Sequence, residues 1–93
     1  MSTKGTISAN GNQVILTIPT GGPPQKVVVN CVVQGAFTGE LALSFSFDGA
    51  TFQPYGSVDN WGRYKFNLIE GIQAFAVTGA NWSSGTAEVL LMV

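Results

Sequence analysis

The chain has 93 residues, of which 12 are glycine, 45% are hydrophobic and only 10% are charged, and its formal net charge is −1. That length makes one domain with a modest core, and its cations, Lys4, Lys26, Arg63 and Lys65, form too small a set for a phosphate-backbone footprint, so nucleic acid is not an expected partner. Histidine is absent and Cys31 stands alone, which removes the commonest general base, the usual zinc site and any internal disulfide.

Residues 1–13 lack the apolar core of a signal peptide, and no run approaches the roughly 18 apolar residues of a membrane span, so the expectation is a chain made in a cytoplasm with no membrane partner. Met1, Ser2, Thr3 and Lys4 are polar and without pattern, and are expected to form a flexible N-terminal arm ahead of a single domain over 5–93. Residues 5–9 read as a short strand, Asn10-Gly11 as a hairpin turn, and 13–18 as the returning strand with Val14, Leu16 and Ile18 on one face. Residues 19–24, PTGGPP, hold three of the four prolines and can only be a loop. In 26–34, Val27, Val29, Cys31 and Val33 alternate against Val28, Asn30, Val32 and Gln34; apolar residues on both faces near the start predict a central strand.

Residues 35–39, GAFTG, read as a turn into the strongest strand, 40–47, where Leu41, Leu43, Phe45 and Phe47 point one way and Ala42, Ser44 and Ser46 the other. Asp48-Gly49 is a tight-turn dipeptide, and Thr51, Phe52 and Tyr55 carry the chain back. Residues 56–62 read as a loop containing Asp59, Asn60 and Trp61. In 63–68, Tyr64, Phe66 and Leu68 face inward and Arg63, Lys65 and Asn67 outward. Glu70-Gly71 turns the chain into a strand over 73–80 with Phe75 and Val77 inside, and 81–85, NWSSG, read as the connection to the last strand, 86–93. There Val89, Leu91 and Val93 share one face, and Leu90 and Met92 on the other imply cover on both sides.

No window has the spacing of an amphipathic helix. About seven to eight short strands separated by turn residues predict an all-β fold, a single antiparallel β-sandwich of the jelly-roll or immunoglobulin-like kind, with a small closed barrel as the alternative. The cysteine and tryptophan spacing of true immunoglobulin domains is absent.

Catalytic chemistry is not expected, because no nucleophile signature such as G-x-S-x-G accompanies the missing histidine. Glu40, Asp48, Asp59, Glu70 and Glu88 fall mainly at predicted turns or strand ends, where carboxylates serve turn geometry and solubility. Asp59 with Asn60 is a weak calcium signal, and neither a metal nor another cofactor is assigned. Tyr55, Trp61 and Trp82 lie in or beside loops, next to Gln53, Asn60 and Asn81. A ring flanked by amides suits a sugar, but loop aromatics also cap sandwich cores or pack at protein interfaces. The low charge has two readings: a surface of uncharged polar side chains, or a surface covered by other protein chains.

From Val32 onward the order of motifs resembles small β-sandwich domains in structural proteins of tailed bacteriophages. Those domains have a G-x-F-x-G-x-L turn and strand, matched by Gly35, Phe37, Gly39 and Leu41, and an aspartate-glycine hairpin, matched by Ser46, Asp48, Gly49 and Phe52. Their closing strand is matched by Phe75, Val77, Ser84, Gly85, Thr86, Ala87, Val89 and Leu91; the arginines common in their penultimate strand are absent from 73–78, QAFAVT. The resemblance implies a non-enzymatic virion protein, expected to be a capsid decoration or cement protein that bridges major capsid subunits together with copies of itself. The alternative is a tail or baseplate module binding a host surface glycan through Tyr55, Trp61 and Trp82. The expected partner-binding residues are Met1, Ser2, Thr3 and Lys4 of the arm, Thr20, Gly21, Gly22, Pro23 and Pro24 of the proline-rich loop, and Trp61 and Trp82.

Overall fold

The computed structural model describes residues 2–18 and 27–93; Met1 and residues 19–26, including Thr20, Gly21, Gly22, Pro23, Pro24 and Lys26, lie outside the described residues. Among the described residues eight strands form two four-stranded sheets, and there is no helix. Sheet I has the order β1 (Ser2–Ile7), β8 (Ala87–Met92), β3 (Val27–Gln34), β6 (Gly62–Leu68). Sheet II has the order β2 (Gln13–Thr17), β7 (Ala74–Gly85), β4 (Phe37–Ser46), β5 (Phe52–Val58). Every strand pair is antiparallel.

The pairs are nested: β4 with β5, β3 with β6, β2 with β7 and β1 with β8. The chain is one long hairpin folded over on itself, which is jelly-roll connectivity and not the strand order of an immunoglobulin sandwich. Inward-facing residues of both sheets make the core, with Ile7, Leu16, Val29, Val33, Leu41, Phe75, Val77, Val89 and Leu91 all fully or almost fully buried. On the β5–β6 side, aromatic rings fill the opening between the sheets. Gly56 opposes Leu43 and Pro54 opposes Ser44, so Tyr55 is the extra residue of a β-bulge. Its ring meets Phe66 at 5.6 Å and Phe75 at 6.2 Å.

Five expectations need correction, of which one is the loop read over 56–62: β5 runs on to Val58 and β6 begins at Gly62. Ser2, Thr3 and Lys4 are not a free arm: they are the first half of β1, in register with Met92, Leu91 and Leu90. A polar run can form such an edge strand because its partner β8 supplies the apolar half of the contact. Asn10-Gly11 does turn the chain, with Gly11 at φ +86°, but β1 and β2 do not pair as a hairpin and lie in different sheets. Residues 35–39 and 81–85 are not simple turns, since β4 begins at Phe37 and β7 runs on to Gly85. Phe47 is 44% exposed, while Ser46 is wholly buried.

The last correction has a local cause. Ser46 Oγ accepts hydrogen bonds from the amides of Gly49 (2.8 Å) and Asp48 (3.3 Å) and donates to Asp48 Oδ1 (2.9 Å). Asp48 Oδ1 also accepts from the amides of Ala50 and Thr51, each at 2.8 Å. These bonds bend the chain before Phe47 can continue the strand alternation, and they hold the Asp48 carboxyl down at about 2.

Candidate functional site

The two ends of the sandwich are distinct. The upper end carries the β1–β2, β3–β4, β5–β6 and β7–β8 connections, and the lower end carries the β4–β5 and β6–β7 turns. At the upper end the first and last motifs of the sequence interlock. The Trp82 ring stacks on Phe37 with centroids 5.1 Å apart and planes 5° apart. It lies over Gly39, where a Cβ would come within 2.5 Å of the indole. Its Nε1 donates to Gly85 O (3.0 Å), and its amide donates to Asn10 Oδ1 (2.7 Å). Gly85 has φ +87°, and a Cβ there would stand 2.2 Å from Ala36 O. Gly39, Gly85, Phe37 and Trp82 are therefore required by packing, and Trp82 is a cap on the core, not an exposed platform.

Trp61 is different. Its turn is fixed, because its amide donates to Asn60 Oδ1 (2.9 Å) and Tyr64 Oη donates to Asn60 O (2.8 Å), yet the residue is 69% exposed. Tyr55 is engaged by Phe45, Phe66 and Phe75. The three rings grouped on sequence grounds thus have three separate environments: an edge plug, a free indole and a core cap.

The outer faces also differ. On sheet I, strand register sets Lys4, Leu90, Val32 and Arg63 in one row across the sheet, and Ser2, Met92, Asn30 and Lys65 in the next. Val28, Val32, Leu90 and Met92 are only half-buried, although β3 and β8 are both central strands. The sequence signal for this face was the apolar residues on both sides of those strands. They imply cover on both sides, and among the described residues no second layer covers the outer side. Lys4, Arg63 and Lys65 stand around these residues, with Glu88 as the acid of the face.

The outer face of sheet II is made mostly of small, uncharged side chains, with Glu40 of β4 as its acid and Ile15 exposed on edge strand β2. Its rows run Ile15, Ala76, Ser44, Pro54 and Gln13, Thr78, Ala42, Ser57. Ala76 is fully buried between its neighbours, and Gln13 Nε2 donates to Thr78 Oγ1 (3.0 Å). Pro54, which cannot donate a backbone hydrogen bond, sits on edge strand β5 as its chemistry demands.

Cys31 is buried on the inner face of β3, where desolvation pushes its thiol up to about 11 and away from the reactive thiolate. No three of His, Cys, Asp and Glu come together as a metal site among the described residues. No helix among them is long and apolar enough to cross a membrane.

No protein-family model matches the chain, and no curated protein matches it. Among solved structures it is similar to the Yersinia pseudotuberculosis-derived mitogen, with a TM-score of 0.61 and 16% identity, covering 98% of this chain and 81% of the mitogen chain. At that identity the similarity is one of fold.

Proposed function

We propose that this chain is a non-enzymatic virion structural protein that decorates the phage capsid and reinforces it by contacting major capsid subunits. The observation that carries the reading is Trp61: a large apolar ring, 69% exposed, on a turn fixed by hydrogen bonds. A ring held in this way loses little conformational freedom on docking, and tryptophan is enriched among the residues that dominate protein interfaces. The sequence resemblance supplies the class of partner, and the half-covered outer face of sheet I adds a second surface suited to protein contact.

A decoration protein of this kind acts by linkage. Surface buried across subunit boundaries stabilises the assembled shell, and repetition over many sites turns individually weak contacts into firm attachment. The protein is made in the host cytoplasm and resides on the virion. The glycan alternative draws less support, because the Trp82 face is taken by Phe37 and Tyr55 is engaged by Phe45, Phe66 and Phe75. The mitogen similarity brings no function here, since 16% identity carries only the fold.

Cryo-EM of particles bearing the protein tests this reading. The expected result is density repeated over the icosahedral shell with Trp61 at the contact, and loss of that density in particles carrying Trp61→Ala. Density confined to the tail tip would overturn it and favour the glycan-binding alternative.

A further inference from the structure

The lower end of the sandwich presents two apolar-acidic pairs in sequence. Phe47 precedes Asp48 in the β4–β5 turn, and Ile69 precedes Glu70 in the β6–β7 turn; Phe47 is 44% and Ile69 60% exposed. The two turns are adjacent, since a Cβ on Gly71 would lie 3.8 Å from Phe47 Cδ1, and Gln73 N donates to Ser46 O at 2.7 Å. No cation lies at this end among the described residues; Lys26 is outside them.

The outer face of sheet I has the opposite character. Two shallow depressions flank Val32. One is bordered by Lys4, Gln34, Glu88 and Leu90 and the other by Asn30, Arg63, Tyr64 and Met92. Each therefore combines an apolar floor with a cation at its rim. Glu88 offsets Lys4 on the first side, so the Arg63 and Lys65 side is the more strongly basic half.

We propose that the outer face of sheet I docks the lower end of a second copy of this chain, with Phe47 and Ile69 against the apolar rows and Asp48 and Glu70 facing the cations. A second copy is favoured over other occupants because both halves of the complement, apolar-acidic and apolar-basic, are present on one molecule. A nucleic-acid backbone would set phosphates over Val32, Leu90 and Met92, which have nothing to offer them. The two patches are different surfaces, one across the strands and one at their ends. The contact is therefore heterologous, so successive copies close into a ring or continue as an open array. The inference deepens the decoration reading, which already includes copies of the chain as partners, but its test uses the purified protein alone and does not depend on capsid binding.

The test is sedimentation velocity on the wild-type chain and two variants. Ile69→Ser/Glu70→Lys alters the end patch, and Arg63→Glu/Lys65→Glu alters the face; both leave the Asp48 turn intact. The wild type is expected to exceed its 9.7 kDa monomer mass as concentration rises, and to dissociate with added salt. Each variant should associate at least roughly tenfold more weakly. Mixing the variants should give a heterodimer and nothing larger, because each keeps one intact patch. In wild-type protein, concentration-dependent amide shifts confined to these two patches provide a readout that does not depend on how well the variants fold. A wild type that stays monomeric up to roughly 1 mM overturns the proposal. So does association unchanged in both variants, a mixture with no heterodimer, or concentration-dependent shifts elsewhere.

Discussion

The outer faces of the two sheets share one strand geometry and differ in what they leave open. Sheet II sets small residues between larger neighbours at the centre of its outer side, so that Ala76 is buried although it points away from the core, and leaves Ile15 exposed on edge strand β2. Sheet I leaves Val28, Val32, Leu90 and Met92 half-covered and places Lys4, Arg63 and Lys65 around them. A composition with only 10% charged residues is thus not a uniformly bland surface. All the described cations lie on one face, and that face also has apolar residues in need of cover.

The largest expected effect lies at the end where sheet II is held shut. Trp82→Ala removes a ring that packs on Phe37 and Gly39, and should lower stability by about 3 kcal/mol in urea denaturation. Trp61→Ala should change it by less than about 0.5 kcal/mol. Equal effects at the two positions would contradict the assignment of one ring to the core and the other to an interface.

The faces themselves are compared by placing the same charge on each. Ala76→Glu must push a carboxylate out between close neighbours and should cost about 2 kcal/mol. Val32→Glu, in dilute solution, should cost less than about 1 kcal/mol, because its side chain already reaches solvent. If Val32→Glu proved the more damaging, the outer side of sheet I would not be the open one.

The smallest effect is acid sensitivity at the hairpin of sheet II. The amides of Thr51 and Ala50 and the Ser46 hydroxyl hold the folded Asp48 carboxyl at about 2, below its ordinary value. A carboxylate depressed by folding stabilises the native state fully above its unfolded pKa of roughly 4, and that contribution is lost as pH falls towards 2. Amide exchange at Ala50 and Thr51 should accelerate over that interval in the wild type. In Asp48→Ala it should be fast throughout, and an identical pH profile in the two proteins would remove Asp48 from the account.

Much of the fold was legible in the sequence, because a two-residue alternation is a direct consequence of strand geometry. Val14 and Leu16, Leu41 and Leu43, and Val89 and Leu91 face inward as their spacing requires. What local pattern cannot convey is which strands pair. Asn10-Gly11 has the chemistry of a hairpin turn, but the chain uses it to pass from one sheet to the other. The segment NWSSG carries loop residues, yet Ser84 and Gly85 still pair with Thr38 and Phe37 across a register shift, and Asn81 takes φ +50°. The polar residues Ser2 to Lys4 have no strand pattern of their own and are ordered by β8. Of the candidate contact residues, Trp61 could be picked out from its type and its loop. The outer face of sheet I emerges only when register brings Lys4, Leu90, Val32 and Arg63 into one row.

The nested pairing also dictates how the chain can reach this state. Only β4 and β5 are neighbours along the chain, while Ser2 finds Met92 across nearly the whole sequence. Such distant partners make closure entropically slow, so refolding on the millisecond-to-second scale of high-contact-order β proteins is expected, measurable by stopped-flow fluorescence of the tryptophans. The hairpin at Asp48-Gly49 is the one pairing that can form early, and each later pair then closes a loop that the previous one has shortened. On the ribosome, sheet I stays incomplete until β8 has left the exit tunnel, so the native sandwich forms only once that strand is free to pair with β1 and β3.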